Sequence, residues 1–317
     1  MLSELDAIDR ENIVALGKLR KDYIDLVRDL RKKVISPSIT TEDVYEKTLI
    51  IESLPDRLIY TGIEWWDKFA GPFRRGNTYV IAGYPGAGKT TLAINLAWAM
   101  ACKGKKVWYY CLELSAVEVF EVLTGHIQKT AEVTKGDYVE AYAKAQGTGF
   151  RFYDPQGYMP WDEHLKQICD TVRKEELDAV FIDNLGFLTR ATKNTFEVEN
   201  VASARIKGLA QELEIPIILL HHLRKPESDS IEPEPNVHSI KGSGAILADA
   251  SDAFILHHPV SDQELQARHP VGYLLSGKPR WGRGGKRYVR LEGGMRTYFP
   301  DISDHYPRAK QRRLKHD

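Results

Sequence analysis

Apolar residues follow two different rhythms along this chain. Near the start, Leu16, Leu19, Tyr23, Leu26 and Leu30 recur at spacings of three and four with charged residues between them. That spacing predicts an amphipathic helix with a narrow apolar seam. It ends at Ser36-Pro37, because the residue before a proline is pushed out of the helical region. A second helix is expected from about Thr41 to Leu54, with Thr40 or Thr41 as N-cap, acids in its first turn and Pro55 closing it. From about Tyr60 the rhythm changes to short, continuous apolar runs: TYVIAG, VWYYCLEL, AVFIDN, IPIILLHH and DAFILHH. Separated by segments that can be helical, such runs predict buried parallel strands with helices on both faces of the sheet. The last part, GYLLSGKPRWGRGGKRYVRLEGGMRTYF, is strand-like around a glycine-rich turn and predicts a β-hairpin. Pro226 to His238, rich in Pro, Ser, Asp and Glu, is expected to be a mobile loop. The expected organisation is a helical segment over 1–57 that is a candidate for oligomerisation, one α/β domain over 58–300, and a basic tail over 301–317.

Composition narrows this only a little. With 43% hydrophobic and 28% charged residues, the 317-residue chain falls in the soluble globular class. Its longest apolar runs, such as Ile215 to Leu220, are far shorter than the roughly 20 residues a membrane-spanning helix needs. The first residues, MLSELDAIDRE, carry early acids and no apolar core of a signal peptide, so a cytoplasmic protein is expected. Cys102, Cys111 and Cys169 stand in no C-x-x-C arrangement and are expected to be buried apolar thiols rather than a metal site. The net charge of zero hides an uneven distribution. From Lys278 onward there are twelve Lys and Arg against four acids, a local excess of +8.

The chemistry begins after Val80-Ile81-Ala82, where Gly83-Tyr84-Pro85-Gly86-Ala87-Gly88-Lys89-Thr90-Thr91 leads into the helix candidate LAINLAWAMA. This is G-x-x-x-x-G-K-T in the strand, loop and helix setting that a phosphate-binding P-loop requires. Glycines let backbone N–H groups turn toward phosphates, the helix N-terminus adds its positive dipole end, and Lys89 supplies a point charge. Gly83, Pro85, Gly86, Ala87, Gly88, Lys89, Thr90 and Thr91 are therefore the candidate ATP-binding residues, with the Thr90 hydroxyl directed to Mg2+. A second magnesium-side carboxylate is needed at another strand end, and Asp183 fits. Hydrolysis needs a group to orient water, and Glu113, ending VWYYCLE, is placed for it. Glu118 and Glu121 are expected to lie on a solvated face of the following helix.

Several separated segments occur in one order: TGIEWWDKFAGPFRRG, GYPGAGKTT, CLELS, VFIDN, HHLRKP, IKGSGAILADASD and KPR. In that series the chain resembles the RecA-like motor domain of DnaB-type replicative helicases, and more closely the helicase half of phage primase-helicases and mitochondrial Twinkle. The resemblance spans roughly Tyr60 to Phe299. It implies that Glu113 is the catalytic glutamate, Asp183 the Walker B aspartate, and His222 the sensor of the γ-phosphate. His221, of opposite strand polarity, is expected to be structural. Lys241-Gly242-Ser243-Gly244 is similar to the family loop that holds the DNA backbone, with Lys where Arg is usual, so that a bidentate phosphate contact becomes a point contact. Arg224, Lys225, Arg190 and Lys193 are further candidate phosphate contacts. Lys278 and Arg280 resemble the pair that reaches into a neighbouring subunit's ATP site, and Pro279 between them predicts a strand edge or bulge.

The resemblance thus implies an ATP- and Mg2+-dependent, ring-forming translocase, hexameric in this family, that moves 5′ to 3′ on single-stranded DNA. Residues 1–57 are too few for a primase or the usual DnaB N-terminal domain, so a primase, polymerase or loader is expected to act in trans. The alternatives are a RecA- or KaiC-like ATPase that is not a helicase, or a loader or other helicase-associated binding subunit. The first shares the P-loop and Walker B strand but does not predict the K-G-S-G loop together with K-P-R. The second predicts the loss of a catalytic position, and none is lost.

Overall fold

The computed structural model describes residues 40–42, 44, 45, 49, 57–155, 159–189, 195–224, 235–257, 271–277, 285–292 and 296–300, without the side chains of 195, 196, 243, 271, 292, 299 and 300. The Leu16 to Leu30 seam, Arg190, Lys193, Lys225, Lys278, Pro279, Arg280 and the 301–317 tail lie outside the described residues. The chain divides into two compact units, Met1–Arg57 and Leu58–Asp317. In the first, Thr41, Glu42, Val44, Tyr45 and Leu49 are helical. Val44 N–H donates to Thr40 O at 3.1 Å, so Thr40 holds the cap position.

The second unit opens with a short antiparallel pair, β1 (Leu58–Ile59) and β2 (Phe73–Arg74), and is built on a nine-stranded sheet. In chain order the strands of that sheet are β3 (Thr78–Gly83), β4 (Val107–Cys111), β5 (Phe150–Tyr153), β6 (Ala179–Asp183), β7 (Ile217–His222), β8 (Asp252–His257), β9 (Val271–Ser276), β10 (Gly285–Glu292) and β11 (Thr297–Pro300). Their spatial order is β11-β10-β9-β8-β3-β7-β6-β4-β5. The six from β8 to β5 run parallel, and β9, β10 and β11 are antiparallel. Every residue of β3, β4, β6 and β8 is buried. That is why these strands read as continuous apolar runs rather than as alternation: helices cover both faces. One face packs α1 (Glu64–Ala70), α2 (Lys89–Cys102) and α3 (Ala116–Gln128) around Leu92, Leu96, Tyr109 and Phe181. The other packs α5 (Trp161–Glu175), α6 (Leu185–Thr189), α7 (Thr195–Leu213) and α8 (Ser243–Asp249) around Ile168, Val180, Ile206 and Ile217. The remaining helix, α4 (Lys135–Ala145), buries only Ala141.

Several expectations need correction. The C-terminal hairpin carries a third antiparallel strand, β11, whose Tyr298 packs into the core beside the P-loop helix. TGIEWWDKFAGPFRRG contributes α1 and β2, with Trp66 fully buried 5.0 Å from Phe254. Of the cysteines only Cys111 is buried; Cys169 is intermediate and Cys102 exposed. The far end of the expected loop is ordered: Asn236 Oδ1 accepts from His238 N at 2.8 Å and caps a 3-10 turn, Val237–Ser239. An isolated bridge between Leu223 and Ile240 then fastens this segment to the end of β7.

Candidate active site

Parallel strands deliver their carboxyl ends to one edge of the sheet, and the site lies there. Gly83 pairs with His222, and Cys111 with Asp183; since Ile182 pairs with Leu219, β3 and β7 reach two residues beyond β4 and β6 at this edge. Glycine is required at two points of the P-loop. At Gly83 a Cβ would meet Leu256 O at 2.8 Å. Gly88 caps α2 in the left-handed region at φ 84°, with Tyr298 Oη 2.2 Å from where a Cβ would stand. Tyr298 Oη–H donates to Ala87 O at 3.0 Å, so β11 holds the loop from behind. Pro85 and Gly86 are exposed, while Thr91 lies in the first turn of α2.

Around this loop the described candidates converge. Lys89 Nζ donates to Tyr84 O at 3.1 Å and lies 3.3 Å from His222 Nδ1. Burial pulls its pKa down against the attraction of Glu113 and Asp183. A lysine held by neutral acceptors is readily given up to a phosphate. On the other side of the ring, His222 Nε2 is 3.6 Å from Glu113 Oε2. The His222 imidazole, with Lys89 and Asn184, draws the Glu113 carboxyl below its ordinary value although burial opposes this. Asp183 is 1% exposed. Its Oδ2 accepts from Thr90 Oγ1 at 2.7 Å and Tyr109 Oη at 2.9 Å, and Oδ1 is buried with no hydrogen-bond partner among the described residues. Burial raises its pKa, which Thr90 and Tyr109 only partly offset. A bare carboxylate oxygen beside a hydroxyl is a donor set suited to a hard divalent cation, and Mg2+ fits it.

Asn184 was not singled out in the sequence. It is fully buried, donates from Nδ2 to Glu113 Oε2, and lies 3.0 Å from His222 Nε2. One amide therefore orients both the carboxylate and the imidazole; its only signal in the sequence was its place directly after Asp183. Glu118 forms the capping box with Ser115 at the start of α3, and Glu121 pairs with Arg296 at 3.1 Å, so neither enters the site.

The K-G-S-G segment lies beside the same strand end. Lys241 N–H donates to His222 O at 3.0 Å, and Arg224 N–H to Ser239 O at 2.8 Å. His221, fully buried, contacts Lys241 O through Nε2 at 2.9 Å. Gly242 takes φ 67° as N-cap of α8, and Gly244, Lys241 and Arg224 are exposed. The backbone of Ser243 begins α8.

Residues 59–299 match the DnaB-like helicase C-terminal domain. The chain belongs to that family. It is 27% identical over 239 residues to a probable plasmid replicative DNA helicase of Chlamydia psittaci, covering 70% of this chain and 51% of the relative. The chain spans about half the length of the curated relatives it matches. A DnaB-like replicative helicase, solved in a study of its interactions with primase, superposes with a TM-score of 0.68 at 20% identity, covering 83% of this chain and 67% of that one. A KaiC-like protein of Pyrococcus horikoshii OT3 gives 0.54 at 18% identity, covering 78% and 100%. The fold is RecA-like. No helix among the described residues is long and apolar enough to cross a membrane.

Proposed function

We propose that this chain is the motor of a ring-forming helicase that hydrolyses ATP to move along single-stranded DNA, 5′ to 3′ by family resemblance. The reading rests on one juxtaposition: the Lys89, Glu113, Asp183 and His222 cluster lies at the end of β7, and the K-G-S-G segment is hydrogen-bonded to that same strand end. Lys89 and the P-loop N–H groups bind the phosphates, and Glu113, held by Asn184, orients the attacking water. Thr90 and Asp183 would hold Mg2+, which when bound neutralises charge on the phosphates. His222 reports whether the γ-phosphate is present, and its carbonyl passes that state to Lys241. Lys278 and Arg280 act across the interface of a hexameric ring, on the neighbour's nucleotide. A primase, polymerase or loader acting in trans is the partner class that family resemblance offers.

A KaiC-like ATPase shares the sheet, but the likeness is weaker, and the placement of Lys241 and Arg224 beside the γ-phosphate sensor favours the helicase reading. Two measurements test it. ATP hydrolysis should rise with added single-stranded oligonucleotide, and Lys241→Ala should lower the slope of log K against log salt by about one unit. An unchanged slope would move the DNA path elsewhere, to the basic stretch from Arg308 to Lys315.

A further inference from the structure

The core-facing stripe of α7 contains a charge. Ala202, Ser203, Ile206 and Ala210 are buried at helical spacing, and Glu199 lies on the same stripe at 0% exposure. Among the described residues neither carboxylate oxygen has a hydrogen-bond partner. A buried carboxylate in that state costs stability unless a cation answers it. Among the described residues the cation is Lys241 of the K-G-S-G segment, with Nζ 3.6 Å from Glu199 Oε1. The pair is asymmetric: the lysine side chain is 53% exposed and the glutamate 1%. Gly242 has its missing Cβ 3.3 Å from Glu199 Oε2, so the loop backbone rests directly on the carboxylate. His221 and the His222 carbonyl fix the Lys241 backbone from the other side. The lysine head is therefore the part of this assembly that can leave.

We propose that Glu199 is the counter-charge of Lys241 in the DNA-free molecule, and that it competes with nucleic-acid phosphate for this lysine. Glu199 is a positioning residue: it touches no DNA, and it sets how readily the loop takes up a strand. A phosphate oxygen that draws Lys241 away leaves a buried carboxylate without its cation, and that penalty opposes weak or transient contacts. The inference rests on the reading of K-G-S-G as a DNA-binding segment.

The test measures binding of a labelled oligothymidylate to the full chain by fluorescence anisotropy across a salt series. The proteins are wild type, Glu199→Gln, Lys241→Ala and the double variant. Glu199→Gln keeps the shape and removes the charge, so it should bind about 2- to 5-fold more tightly near 0.1 M salt, the range of one partly exposed ion pair. Its salt slope should be unchanged, because the same phosphate contacts form. In the Lys241→Ala background the same substitution should have no effect. Glu199→Met, which fills the same stem volume, should reproduce the gain and guards against an effect peculiar to glutamine. If Lys241→Ala weakens binding while both Glu199 variants leave it unchanged, this inference is overturned and the loop reading stands. An equal gain with and without Lys241 also overturns it, as a general field effect. Wild-type binding and slope in Lys241→Ala would overturn the loop reading and the inference together.

Discussion

Replacing Gly88 by alanine brings two separable penalties to one position. The backbone there sits at φ 84°, and a left-handed conformation costs an L-residue about 1–2 kcal/mol. The new Cβ would also stand 2.2 Å from Tyr298 Oη, and overpacking of a tight core costs about 1–3 kcal/mol. Gly88→Ala should therefore destabilise the α/β unit by about 2–5 kcal/mol. Tyr298→Phe removes the hydroxyl that donates to Ala87 O, leaving a carbonyl unanswered at about 1 kcal/mol. In the double variant the nearest ring atom to the Cβ is Cζ at 3.3 Å. The collision is relieved while the backbone penalty stays. Urea unfolding of the four proteins should then give a double-variant loss smaller than the sum of the singles by at least about 1 kcal/mol. Additivity within about 0.5 kcal/mol would refute the claim that Tyr298 presses on the P-loop.

Other outcomes follow from the same geometry. Lys89→Ala should abolish hydrolysis with no loss of thermal stability, since burial already disfavours its charge; a large drop in melting temperature would contradict this. Asn184→Ala should lower kcat by roughly 100-fold, comparable to losing an orienting hydrogen bond, with little change in nucleotide affinity; an equal loss of affinity would make Asn184 a nucleotide ligand. Glu113→Ala and Arg280→Ala should each be inactive, and after subunit exchange their mixture should recover partial hydrolysis. A linear loss on titrating either variant into wild type, together with no rescue, would sink the action of Arg280 in trans. Burial holds His126 and His221 each at about 4 instead of 6.5. The unfolded chain binds protons below pH 6.5 that the folded chain refuses, so their stabilisation is complete above that pH and is lost toward pH 4. Up to about 3 kcal/mol per histidine is at stake, and a urea midpoint that is flat from pH 6.5 to 4.5 would contradict it.

The P-loop was legible because its residues are contiguous: the glycines, Lys89 and Thr90 follow one another from the end of β3 into α2. Glu113, Asp183 and His222 were legible for a different reason. Each ends an apolar run, and parallel strands bring such ends to one edge. Asn184 escaped because its role depends on two residues from other strands, Glu113 and His222. Glu199 left a local trace, an acid on the apolar stripe of α7, but only the fold brings Lys241 over it. The Tyr298 contact with Ala87 spans 211 positions in sequence and follows from a third antiparallel strand that a hairpin pattern does not require. β1 and β2, at two residues each, are too short to establish any period.

The central claim is that ATP hydrolysis at this site drives movement along DNA. Strand displacement on a forked duplex with a single-stranded 5′ tail, with ATP and Mg2+, tests it most directly. The account predicts release of the paired strand by wild type and none by Glu113→Ala, which still binds nucleotide. Vigorous ATP hydrolysis that neither responds to single-stranded DNA nor displaces a strand would contradict it.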